Sequence, residues 1–214
     1  MSNALRLFIQ GWSGLAVECA PGMFAKLSVR YQAFPNVSLA KLKVTPDNIV
    51  PLLRAYNVPL DFGFLSLDID GFDYFVLDRL LEAYRPALVC TEINEKIPPP
   101  IKFAVRFNEN YSCNRSDFYG MSISMLEVTA KRHGYFIVGL EYNNAFLVPE
   151  EISPVASLTA EEAYDRGYRQ RPDRLVKLPW NSGMECVQNL PLSEALTFIR
   201  ERFSKYEGLY FLEV

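Results

Sequence analysis

Apolar and polar positions alternate along the first 150 residues in a way that predicts strands and helices in turn. Residues 13–19 (SGLAVEC) form a short apolar run with an acid, Glu18, near its end. Pro21 then opens a helix, since proline at the first helical position forfeits no hydrogen bond. Met23, Phe24, Leu27 and Tyr31 stand at helical spacing and give that helix a buried face. Residues 37–44 (VSLAKLKV) alternate as a strand does. Thr45 is a candidate N-cap with Pro46 behind it, ahead of the stripe Ile49, Leu52, Leu53 and Tyr56. Residues 62–69 (FGFLSLDI) and 87–93 (ALVCTEI) read as buried strands. Between them Leu77, Leu80, Leu81 and Tyr84 mark a helix at i, i+3, i+4, i+7.

Repeated strand–helix–strand units with near-continuous apolar strands predict an α/β fold: a mostly parallel sheet with helices on both faces and right-handed crossovers. Ligands of such sheets sit at the carboxyl ends of the strands. Three polar clusters fall at those predicted ends: Glu18, then Asp68 with Asp70, then Glu92 with Asn94. Asp68 and Asp70 stand two apart, as do Glu92 and Asn94, and side chains two apart on a strand share a face. Four oxygen donors from neighbouring strand ends suit a hard cation such as Mg²⁺, with Asp70, Glu92 and Asn94 as the ligands. The same residues admit plainer readings. Asp70-Gly71 can be a turn with Asp73 as a helix cap, and one carboxylate can serve as general base with no ion.

The pattern then breaks. Residues 95–119 are polar, begin with Pro98, Pro99 and Pro100, and show no period, which predicts a lid or binding loop. Residues 122–133 read as a helix closed by Gly134 in the left-handed region. Residues 135–141 and 145–148 read as two strands joined at Asn143-Asn144, the second antiparallel. Beyond them, Thr159 with Glu162 has capping-box spacing, and Leu192, Ala195, Leu196, Ile199 and Phe203 line a last helix. The expected organisation is an α/β domain over residues 1–150 and a helical extension over 151–214 packed on it.

Half the residues are hydrophobic, enough to offset chain entropy and exclude disorder. A formal charge of −3 without a Lys/Arg run argues against nucleic acid and anionic membrane surfaces as partners. No apolar run is long enough to span a bilayer. The four cysteines, Cys19, Cys90, Cys113 and Cys186, form no CxxC pair, which fits a reducing, cytoplasmic setting better than a zinc site or disulfide framework. Cys19 and Cys90 read as small apolar strand residues. His133 ahead of Gly134 suits a helix C-terminus more than catalysis. Phe118, Tyr119 and Trp180 are candidates for an acceptor pocket, or else packing.

The segments GWSGLAVE (residues 11–18), LSLDIDGFDY (65–74), TEIN (91–94), FYGMSISMLEVTAKRHGY (118–135) and NNAFLV (143–148) together resemble the FkbM-type and related small S-adenosylmethionine-dependent methyltransferases. The resemblance covers roughly residues 2–150. It implies a Rossmann-like methyltransferase fold and transfer of a methyl group to an oxygen of a small acceptor, a sugar or polyketide-like hydroxyl. It implies that Glu18 binds the cofactor ribose, that Asp68 lies beside the methyl donor, and that Asp70, Glu92 and Asn94 hold the acceptor or a metal. The family's glycine-rich D-x-G-A-x-x-G turn, expected just before residues 2–5, does not occur in this sequence. The expectation is therefore a fold that lacks its first strand, with weak contacts to the cofactor's methionine part and an unpaired sheet edge that favours a homo-oligomer. The alternative is a non-catalytic, methyltransferase-like binding or scaffold protein.

Overall fold

The computed structural model describes residues 3–110 and 116–214. The reading of residues 95–119 as a loop lies in part, with Cys113, outside the described residues. The chain is α/β. Helix α1 (Leu5–Ile9) precedes strand β1 (Gly14–Glu18), helix α2 (Pro21–Tyr31), strand β2 (Val37–Lys41) and helix α3 (Ile49–Ala55). Strand β3 (Phe64–Leu67), helix α4 (Asp73–Leu81) and strand β4 (Leu88–Glu92) follow. Next come β5 (Lys102–Val105), α5 (Ile123–Arg132), β6 (Tyr135–Glu141) and β7 (Asn144–Pro149). The remainder holds α6 (Ala160–Tyr164), a π-helical turn (Asp165–Arg169), α7 (Arg174–Lys177), a 3-10 stretch (Pro179–Asn189), α8 (Leu192–Arg202) and β8 (Tyr210–Glu213).

A single, mostly parallel sheet was the expectation; the described strands instead form three sheets. β1 and β2 pair in parallel, β5 and β8 pair antiparallel, and the largest sheet has the order β3-β4-β7-β6. In that sheet β3 and β4 are parallel, and β7 runs antiparallel between β4 and β6. The tight turn that brings β7 back centres on Tyr142, at φ +55°, and Asn143, one residue ahead of the predicted position. No backbone hydrogen bond joins β1 to β3 among the described residues. A cavity of about 480 Å³ lies between them.

Several local rules act as the sequence predicts. Pro21 is the first residue of α2. Ser122 caps α5 by accepting from Met125 N–H, and Gly134 ends it at φ +66°. Thr159 and Glu162 form a complete capping box on α6. Thr45 does not cap α3: Asn48 holds that place, and its Oδ1 accepts instead from Thr45 N–H.

Two apolar clusters hold the fold. The larger takes Val76, Leu77 and Leu80 from α4, Val89 from β4, Leu126 from α5 and Leu147 from β7, together with Ala163, Tyr164 and Tyr168 from beyond residue 150. The smaller joins Ile97, Ile101, Phe103 and Phe118 to Met184, Val187, Ile199 and Phe203. Segment 151–214 therefore enters both clusters and supplies β8 as the partner of β5. Residues 95–105, expected in a lid, are mostly buried and contain β5. Burial follows because the C-terminal helices cover them, and burial obliges their polar groups to find partners.

Candidate functional site

The carboxyl ends of β3 and β4 are adjacent because the two strands pair in parallel, with Leu67 opposite Thr91. The residues that follow each strand therefore meet. Asp68, Asp70 and Glu92 each place a carboxylate oxygen within 4.8 Å of the others. Asp68 and Asp70 are exposed and Glu92 is half-buried. Asp70 has φ +54°, in the left-handed region that Asp tolerates better than most residues. Such conformations persist where surrounding structure over-determines them, often at functional sites.

Asp73 fixes this turn. It is the first residue of α4 and is 1 % exposed. Its Oδ1 accepts from Ile69 N–H at 3.0 Å and its Oδ2 from Gly71 N–H at 3.0 Å. The sequence suggests a forward cap on the helix; the side chain instead reaches back and closes the strand-end turn. Burial raises the Asp73 pKa to about 6 in spite of those two hydrogen bonds, and nearby Asp68 adds to the rise.

Antiparallel pairing of β4 with β7 sets Glu92 opposite Asn144. Asn143 Nδ2 donates to Glu92 Oε1 at 2.7 Å, and Asn144 Nδ2 donates to Asn143 Oδ1 at 3.0 Å. Glu92 Oε2 is buried and has no hydrogen-bond partner among the described residues. Burial, then the charge of Asp68, then those of Asp73 and Asp70, push the Glu92 carboxyl far above its ordinary range. Partial desolvation of its carboxylate, then the charge of Asp70, raise Asp68 as well. Carboxyls this close repel one another when ionised, so Glu92 keeps its proton to higher pH than an isolated carboxyl.

A folded-state pKa above the unfolded value stabilises the fold fully below the unfolded pKa, and that stability is lost as pH rises. Glu92, with an ordinary value of 4.5, should therefore cost stability increasingly from pH 5 upward. Glu92→Gln, which cannot ionise, should be more stable than the parent protein by roughly 1–2 kcal/mol at pH 8 and about equal at pH 4. Denaturant unfolding at a series of pH values reads this difference. Parallel stability profiles for the two proteins would show that the pKa of the Glu92 carboxyl is not raised.

Asn94 does not join the cluster. Its side chain is fully buried, and Nδ2 donates to the carbonyls of Asp117 at 2.8 Å and Tyr119 at 3.0 Å. The donor set for a hard cation is thus Asp68, Asp70 and Glu92, with Asp68 where the sequence suggests Asn94. Glu18 ends β1, and its Oε1 accepts from Ala20 N–H at 2.8 Å. Phe118 and Tyr119 are buried: Phe118 stacks on Tyr206 with ring centroids 3.9 Å apart, and Tyr119 Oη donates to Glu95 Oε2 at 2.8 Å. Trp180 is exposed. His133 ends α5, where its Nε2 and Arg132 both meet Asp78.

Cys90 is buried, opposite Phe146 of β7, and burial lifts its thiol to about 11, as expected of an inert strand residue. Cys19 departs from the expectation. It follows the end of β1 and is exposed; among the described residues β1 pairs with β2 alone. Sequence reasoning passed over Asn143 as a site residue and read it only as a turn. Its contact with Glu92 depends on β7 returning beside β4, a pairing 51 residues distant in sequence.

No helix among the described residues is long and apolar enough to cross a membrane. No protein-family model, curated protein or solved structure matches the chain.

Proposed function

We propose that the chain is an S-adenosylmethionine-dependent methyltransferase acting on an oxygen of a small hydroxylated acceptor, built on a Rossmann-like frame. The observation that carries this reading is the meeting of Asp68, Asp70 and Glu92 at the carboxyl ends of two parallel strands. Three mutually repelling carboxyls favour a ligand with positive charge, and this cofactor carries a sulfonium and an ammonium group. Glu18 suits the other end of such a ligand. One of its oxygens is held by Ala20 N–H, which orients the carboxylate at the end of β1 to accept from a ribose hydroxyl. The donor set therefore fits the group.

When bound, the cofactor supplies an electrophilic methyl group. Asp68 and Asp70 would hold its positive end. Asn143 orients the Glu92 carboxyl through Oε1. The donor-less Oε2 is then the atom placed to take the acceptor's hydroxyl proton once a positive charge beside the cluster lowers the proton affinity of Glu92. Orientation of the acceptor against the methyl group accounts for the remaining rate enhancement. Mg²⁺ is the second occupant this donor set would accept, held by Asp68, Asp70 and Glu92.

Equilibrium dialysis with labelled S-adenosylmethionine tests the reading. Hydrogen bonds to charged groups contribute roughly 1.5–3 kcal/mol. Glu18→Ala should therefore weaken binding by about 10- to 100-fold, and Asp68→Asn should weaken it as well. Equal binding by the parent protein and both variants would place the ligand elsewhere. No binding by any of the three would turn the reading to the non-catalytic alternative.

A further inference from the structure

We propose that Tyr142 and Asp173 are positioning residues for Glu92: the segment after α6 grips the turn between β6 and β7 through them, and so holds Asn143 against the Glu92 carboxylate. β6 and β7 pair with Glu141 opposite Asn144, so Tyr142 and Asn143 make up the whole turn. Tyr142 stands at φ +55°. Positive φ at the first residue of a two-residue hairpin turn favours glycine or asparagine. A tyrosine persists there only where its surroundings over-determine it. Here they do. Tyr142 N–H donates to the Gly167 carbonyl at 3.0 Å. Tyr142 Oη donates to Asp173 Oδ2 at 2.7 Å. The Arg171 guanidinium lies over the Tyr142 ring, 4.9 Å from its centroid, and also pairs with Glu141. All of these holds come from residues 167–173, beyond the end of the hairpin.

Asn143 is the next residue along. Its carbonyl accepts from Ile93 N–H at 2.8 Å, and its Nδ2 donates to Glu92 Oε1 at 2.7 Å. A turn free to swing about Tyr142 would carry that amide off Glu92. With Oε1 held by Asn143, the direction in which Oε2 faces depends on the turn, and the turn depends on Tyr142. Glycine at 142 would adopt the same φ without strain, but it has no hydroxyl to offer Asp173 and no ring to lie beneath Arg171. The acceptor is a strong one. The Tyr142 hydroxyl, and then the cations Arg171 and Lys177, hold the Asp173 carboxyl below its ordinary range, so the bond is charge-assisted at neutral pH. Asp173 has no other evident task for its side chain: it stands at the N-cap of α7 and makes no side-chain cap there. This inference rests on the reading of Glu92 as the group that takes the acceptor's proton, and it adds what aims that group.

The reporter is the Asn143 side-chain amide, identified by its loss in Asn143→Ala. Its solvent exchange is followed by NMR in the full chain without cofactor. Tyr142→Phe removes the hydroxyl alone, and Asp173→Ala removes the acceptor. Each should speed that exchange about tenfold, the scale of one hydrogen bond to a charged group. The double variant should go no further than either single one, because both remove the same contact. Asp173→Asn keeps an oxygen that accepts from the same hydroxyl and should restore most of the protection. Backbone amides of β6 and β7 should stay as they are in every variant, which separates positioning from a general loosening of the hairpin. Unchanged exchange in both Tyr142→Phe and Asp173→Ala would overturn the proposal. So would a loss in Asp173→Asn equal to that in Asp173→Ala, or an equal acceleration along the β6 and β7 backbone. Because the reporter is read without cofactor, failure of the parent protein to bind S-adenosylmethionine would end the methyl-transfer reading and leave the grip on Asn143 to be judged by the amide alone.

Discussion

Gly167→Ala is expected to cost about 3 kcal/mol or more of folding stability, the upper range for overpacking. Gly167 is buried in the π-helical turn, where it presses on the end of β6. A Cβ there would lie 2.2 Å from the Leu140 carbonyl oxygen and 2.5 Å from Leu140 Cβ. The first of these is a backbone atom in a paired strand, which no rotamer change can move. Either the turn lifts off β6 or β6 deforms. Both movements threaten the hydrogen bond from Tyr142 N–H to the Gly167 carbonyl, 3.0 Å long. Tyr142 directly precedes Asn143, whose amide orients Glu92. The variant should therefore unfold at lower denaturant and, where still folded, lose the contact between Asn143 and Glu92. Denaturant unfolding with an NMR reading of the Asn143 side-chain amide checks both effects. Stability within about 0.5 kcal/mol of the parent, the usual range for a harmless surface change, would show that the turn and strand can separate freely.

Much of the first 150 residues was legible in the sequence because its signals are local. Runs such as 62–69 and 87–93 are apolar for long enough to be strands whatever their neighbours. Beyond them, the Thr159 and Glu162 capping box needs only four residues of chain. The meeting of Asp68, Asp70 and Glu92 was also legible, since parallel neighbours in a βαβ unit present their carboxyl ends on the same side. What stayed hidden depends on distant partners. Glu95, Lys96 and three prolines read as a surface loop on polarity alone. All but Pro100 are buried, and the polar groups of Glu95 are satisfied by Tyr164 and Asn181, 69 and 86 residues away. The same distance hid β5, a four-residue strand that pairs with the end of the chain. Asn94 shares the spacing of Asp68 and Asp70, yet the backbone turns after β4 and its amide goes to the 117–119 segment. Period-two reasoning holds only while the strand lasts.

Glu95→Ala should destabilise the protein by about 3–5 kcal/mol, the range for removing one partner of a buried charge network. Glu95 is fully buried. Its Oε1 accepts from Asn181 Nδ2 at 2.6 Å, its Oε2 accepts from Tyr119 Oη at 2.8 Å, and its backbone carbonyl accepts from Tyr164 Oη. Beside it, Lys96 is 3 % exposed, pairs with Asp117 at 3.2 Å and lies over the Tyr119 ring at 4.7 Å. Burial raises the Glu95 pKa, while Lys96 and the donated hydrogen bonds oppose that rise. Removing the carboxylate leaves the Tyr119 hydroxyl without its acceptor and Asn181 Nδ2 with only Tyr168 Oη, at 3.0 Å. It also takes a negative charge from beside a buried ammonium. These groups join the segment after β4 to the π-helical turn and the 3-10 stretch, so the loss should be felt first where residues 160–190 meet the core. Glu95→Gln keeps the shape and one acceptor, and the Tyr119 hydroxyl can turn to accept from the new amide. That variant should lose no more than about 1.5 kcal/mol, the net value of one ordinary hydrogen bond. Unfolding free energies of the two variants, with amide exchange over residues 160–190, separate the contributions. Equal losses for alanine and glutamine would assign the effect to the charge beside Lys96, and a loss below 1 kcal/mol in both would show that the network does not fasten the C-terminal segment.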